Sequence, residues 1–149
     1  PELWAGAVLS CPAWFTISVY ADEKAVDEFV ARTGASRKVA VSGLDFIRER
    51  SASASEWARE DPLARAASST AALPPMFVQC TRADEYGVFE GAELFAKLLS
   101  ARGQPVTFKE EQGEHCRIDA RAASRFLVGL SARAAQRPAA AGTPAEAAK

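Results

Sequence analysis

The chain contains one histidine, His115, which follows Gly113 and Glu114 and precedes Cys116. Imidazole can take up and return a proton near neutral pH, so a histidine is the natural general base of a hydrolytic centre. Asp84 and Glu85 offer the complement. A carboxylate that accepts a hydrogen bond from Nδ1–H fixes the ring's tautomer and stabilises the imidazolium that forms. An acid and a histidine together make up two thirds of a nucleophilic triad. The usual serine sits on a sharp G-x-S-x-G turn, and no such turn occurs in this sequence. Gly87 and Gly91 have the required separation, but Phe89 stands between them. There is no HGG-type oxyanion segment, no G-x-G-x-x-G and no Walker A sequence. Cys11, Cys80 and Cys116 are odd in number and lack a local metal-binding spacing. They read as small buried hydrophobes in a reducing, cytoplasmic setting, and neither a metal nor a cofactor is expected. The residues alone also admit plainer roles. His115 could be a surface residue, Asp84-Glu85 a solvated pair, and Glu85 a favourable charge at the start of the next helix.

The elements that position these residues alternate. Leu3–Leu9 is an apolar run ended by Ser10-Cys11-Pro12, which predicts a buried strand followed by a loop. A mostly helical insert follows. Ala21–Arg32 has apolar residues at helical spacing and Gly34 beyond its end, and Val39–Arg50 holds a further short helix. Ser51–Ser55 reads as loop and Asp61-Pro62-Leu63 as a turn. Leu73-Pro74-Pro75 stops the insert. Met76–Cys80 reads as a central strand with Thr81–Glu85 as the loop at its carboxyl end. Val88–Arg102 is helical, with Gly103 past its end. Pro105–Lys109 is the next strand and Glu110–Cys116 its loop. Asp119 can cap a last helix with an apolar stripe of Ala123, Phe126, Leu127, Leu130 and Ala134. This order implies a parallel α/β sheet with right-handed crossovers, whose functional loops lie beyond the strands' carboxyl ends. Asp84, Glu85 and His115 all fall in such loops.

Composition sets outer limits. The 149 residues are 48% hydrophobic and 25% charged, an ordinary globular mixture sized for one domain. A formal net charge of −1 provides no general attraction for nucleic acid or anionic lipid. No apolar run approaches the roughly 20 residues that span a bilayer. From Arg133 to Lys149 the chain is rich in Ala, Pro and Gly and is expected to be a disordered tail, leaving residues 1–132 as the folded part. The chain begins Pro-Glu-Leu-Trp without an initiator Met, so residues upstream are expected.

Several of these pieces fall in a familiar sequence. Asp61-Pro62-Leu63 and Leu73-Pro74-Pro75 precede the apolar Met76–Cys80. Glu85-Tyr86-Gly87-Val88-Phe89-Glu90-Gly91, Gly103-Gln104-Pro105-Val106 and Gly113-Glu114-His115 then follow. As a connected series, with Ser10-Cys11-Pro12-Ala13-Trp14 near the start, they resemble the C-terminal portion of the hormone-sensitive-lipase-like esterases of the α/β-hydrolase fold. The resemblance covers about Leu3–Leu130 and is weakest over Ala21–Ser55. It implies Glu85 as the triad acid and His115 as the base, with Asp84 as the alternative acid one residue away. It also implies a serine nucleophile upstream of residue 1 and a small-molecule ester as substrate. Trp14, Phe15, Phe46 and Trp57 become candidates for an apolar pocket lining, against ordinary packing. The sequence departs from the family at Gly87, where Leu commonly follows two residues after the acid, and at Phe89, where Asp is usual. The histidine loop is one residue short, and Cys116-Arg117 replaces an aromatic. The competing reading is a non-catalytic, hydrolase-like binding or regulatory module.

Overall fold

Short apolar runs separated by helices assemble into a parallel sheet with both crossovers on one face. The computed structural model describes residues 5–115 and 117–136, with side chains as far as Ala132. β1 (Ala7–Ser10) leads through α1 (Glu23–Thr33), α2 (Arg37–Arg48), α3 (Ala54–Glu60) and α4 (Pro62–Ser68) to β2 (Met76–Thr81). α5 (Phe89–Ala101), β3 (Val106–Glu111) and α6 (Ala120–Gln136) complete the described chain. The strand order is β1-β2-β3, with Ser10 opposite Gln79 and Val78 opposite Phe108.

Local chemistry explains the element ends. The Asp22 carboxylate accepts from the Ala25 N–H at the start of α1, and Gly34, at φ 72°, closes that helix in the left-handed conformation. Asp61-Pro62 starts α4: Asp61 caps the Leu63 N–H at 2.9 Å, and Pro62 takes the first-turn position where its missing N–H costs nothing. The signal expected to mark a turn is therefore a helix start. β2 extends to Thr81, and β3 takes in Glu110 and Glu111, which were expected in the loop.

β2 is buried along its whole length because it has a strand on each side and helices on both faces. Met76, Val78 and Cys80 join Phe29, Phe89, Ala92 and Leu99 in the core under α5 and the insert. Phe77 turns to the other face, 5.7 Å from the Phe126 ring of α6. Leu130 is buried on that same helix, whereas Leu127, expected in its buried stripe, is 47% exposed. The apolar stripe of α6 is thus narrower than its spacing implied, and Ala134 lies beyond the described side chains. The helix runs to Gln136. The rest of the expected tail, residues 137–149, lies outside the described residues, as do Leu3 and Trp4 of the first expected strand.

Candidate active site

The loops after β2 and β3 leave the same edge of the sheet because the strands are parallel neighbours. The first loop turns tightly. The Gly87 N–H donates to the Asp84 carbonyl at 3.0 Å, and the Tyr86 N–H donates to Asp84 Oδ1 at 2.9 Å. This side-chain-closed turn draws the Asp84 carboxylate inward, where the residue is only 2% exposed. Its other oxygen, Oδ2, is hydrogen-bonded to Nδ1 of His115. The His115 side chain is 32% exposed, and its ring lies 4.7 Å from that of Tyr86, centroid to centroid.

Glu85 occupies the next position of the turn and faces solvent. Its backbone carbonyl accepts from the Ser36 N–H at 2.9 Å, which ties the loop to the start of α2. The preference for Glu85 over Asp84 as the histidine's partner is therefore corrected. The turn points alternate side chains in opposite directions, and Asp84 has the inward one. With the acid moved back one residue, Tyr86 rather than Gly87 stands two residues after it. Gly87 has its own reason to lack a side chain. It adopts φ 76°, and a Cβ there would sit 2.6 Å from Phe29 Cζ and 2.8 Å from Thr33 Oγ1.

Residues outside the family-like motifs hold the histidine loop at its far end. Gln79 is fully buried. It donates to Ser10 Oγ at 2.8 Å and accepts from the Asp119 N–H at 3.1 Å, so β1, β2 and the start of α6 meet at one amide. Asp119 accepts from the Ala122 N–H at 2.9 Å, capping α6 as expected, and also from Lys109 of β3. Lys109 and the capping N–H of Ala122 hold its carboxyl down at about 2, below the usual 3.8. The same pairing, with Glu111 adding to it, raises the Lys109 ammonium above its ordinary value. A buried glutamine inside an apolar run was the one available signal for this arrangement, since a buried amide must find partners.

Of the four aromatics expected to line a pocket, Trp14 borders a surface cavity together with Phe95 and Leu73, Phe46 borders another beside Val41, and Phe15 and Trp57 pack on the core. Trp14 lies 4.0 Å from Phe95, Phe15 packs edge-on to Phe29 at 6.0 Å, and Phe46 is exposed beneath Arg50. Cys11 and Cys80 are buried within reach of Asp84 and form the one group of possible metal ligands among the described residues. Cys116 lies outside those residues.

A buried carboxylate on Nδ1 places the ring proton on that nitrogen and makes Nε2 the basic one. Such a pair can accept a proton from a hydroxyl or water and stabilise the resulting imidazolium. No helix among the described residues is long and apolar enough to cross a membrane. No family model, no curated protein and no solved structure matches the chain. The structure is a small α/β fold, a three-stranded parallel sheet with flanking helices whose topology is consistent with that of α/β-hydrolases, with an Asp–His pair at its carboxyl edge.

Proposed function

We propose that this chain carries the acid and the general base of a serine-type centre that hydrolyses small carboxylic esters. One observation carries the reading: the buried Asp84 carboxylate is hydrogen-bonded to His115 Nδ1 where two neighbouring parallel strands end. Asp84 orients the ring, and His115 takes the proton of an attacking serine and returns it to the leaving alcohol. With no G-x-S-x-G in these 149 residues, the serine is assigned to polypeptide outside them.

The test is hydrolysis of a p-nitrophenyl ester by the polypeptide as encoded, beside the 149-residue chain alone. The longer form should be active and the chain alone inactive. Asp84→Asn and His115→Ala should each lower kcat by about 10³–10⁴-fold, whereas Glu85→Gln should change it less than about twofold. Activity of the longer form that survives His115→Ala would end the proposal. The missing elbow is also the observation that favours the second reading, a hydrolase-like binding module. An encoded polypeptide with no such serine and no turnover would select that alternative.

A further inference from the structure

The corner that holds the Asp84–His115 pair also gathers sulfur. Cys11 follows the last residue of β1, Cys80 lies on β2, and Asp84 comes from the loop after β2. One ligand atom from each lies within 4.8 Å of the others, and all three residues are buried. We propose that Cys11, Cys80 and Asp84 form a binding site for a thiophilic divalent cation of the zinc type.

The backbone brings the two sulfurs together. The Cys11 N–H donates to the Gln79 carbonyl at 2.8 Å, so the register that pairs Ser10 with Gln79 carries Cys11 to the side of Cys80. The two Sγ atoms are 3.1 Å apart. At this point Cys11 leaves the strand with φ 40°, the only left-handed non-glycine residue among those described. L-residues avoid that conformation, and where it persists the surroundings hold it for a local purpose. Here it accompanies a thiol set against a second thiol and 4.0 Å from the Thr81 hydroxyl.

The donor set selects the ion. Thiolates favour zinc-like ions over magnesium or calcium, and a carboxylate completes a mixed S/O set that zinc accepts. Tetrahedral coordination with Zn–S near 2.3 Å puts two sulfurs about 3.8 Å apart, so the sulfurs need to spread by less than about 1 Å. Asp84 already accepts from Tyr86 and His115, and a carboxylate has lone pairs for a further partner. The carboxylate also distinguishes this site from a disulfide. Once both thiols give up their protons, two thiolates and a carboxylate in a buried corner repel one another. A divalent cation cancels that repulsion, whereas a disulfide makes no use of Asp84. Each thiol yields its proton to solvent as it binds. Among the described residues three ligands are supplied, and a tetrahedral ion takes a fourth. The site requires no ester hydrolysis and stands or falls separately from that proposal.

Cobalt(II), titrated anaerobically into the reduced 149-residue chain, is the probe. Tetrahedral thiolate coordination should give a near-ultraviolet sulfur-to-cobalt band and intense visible bands that saturate at one ion per chain and vanish when zinc is added. Cys11→Ser and Cys80→Ser should each remove most of the sulfur band. Asp84→Asn should keep that band and weaken cobalt binding by about tenfold or more, with far-ultraviolet circular dichroism confirming that each variant is folded. Absence of the band from the wild-type chain overturns the proposal whatever the variants do. A band lost only on Cys116→Ser, or unaltered in both Cys11→Ser and Cys80→Ser, overturns it equally.

Discussion

The turn from Asp84 to Gly87 decides which of two adjacent carboxylates reaches the imidazole. The Gly87 N–H closes it onto the Asp84 carbonyl and the Tyr86 N–H holds Asp84 Oδ1, which leaves Asp84 inside and Glu85 outside; Gly87 leaves the turn at φ 76°. Gly87→Ala would incur the left-handed penalty and also drive a methyl group into the fully buried Phe29 ring. The expected loss is about 2–4 kcal/mol of unfolding free energy, read as a lower denaturant midpoint. Gly34→Ala is the matched control. Gly34 has φ 72° but nothing within 4 Å of its would-be Cβ, so its loss should stay near 1–2 kcal/mol. Equal losses at the two positions would show that the contact with Phe29 adds nothing. This is also where sequence reading reached its limit. Asp84, Glu85 and His115 were legible as residues of loops beyond parallel strands, because apolar runs and proline punctuation mark strand ends. The choice between Asp84 and Glu85 depends on which of them the hydrogen bonds of one turn draw inward, which neither composition nor a motif in register can supply.

At the level of elements, the histidine loop is anchored where β2, β3 and α6 meet, and charge governs that anchor. The Asp119 carboxyl titrates at about 2 in the folded chain, against 3.8 ordinarily. A depressed acid contributes stability that is fully present above its unfolded value and is lost as pH falls through the folded one. Asp119→Asn isolates this charge, since asparagine caps a helix as well as aspartate does. The wild type should therefore be more stable than Asp119→Asn above about pH 4, and the difference should fade as pH drops toward 2. Chemical unfolding of both proteins across that range checks it, and a gap independent of pH would refute it. The cap itself was legible, because an aspartate before an apolar-periodic stretch is a helix start. Its partners Lys109 and Gln79 were not, because strand register rather than sequence distance brings them there. The closeness of Cys11 and Cys80 was not legible for the same reason. Far apart in sequence, the two are neighbours only through the pairing of β1 with β2.

Across the whole molecule, the sheet has two unlike edges. β3 carries Lys109, Glu110 and Glu111, and charged side chains discourage another strand from adding there. β1 reads Ala-Val-Leu-Ser and has no such protection. The N–H groups of Ala7 and Cys11 point into the sheet, to Pro75 and Gln79, so alternation turns those of Val8 and Ser10 outward. In dilute solution the Val8 and Ser10 amides should exchange with solvent quickly while that of Leu9 is protected. At concentrations where chains associate, the outward pair should become protected as well. Uniform protection along β1 in a dilute monomer would mean that something already covers this edge. The register carries one more consequence, in the order of assembly. The Asp84–His115 contact closes 31 residues of chain, whereas the Gln79–Ser10 contact closes 69. Shorter closures lose less chain entropy before their contacts form. The β2–α5–β3 unit should therefore be largely built in the folding transition state, with β1 arriving late. Truncations such as Leu99→Ala should mainly slow folding, whereas Leu9→Ala should mainly hasten unfolding. The acid and the histidine would then meet before the first strand docks, and the two sulfurs only afterwards.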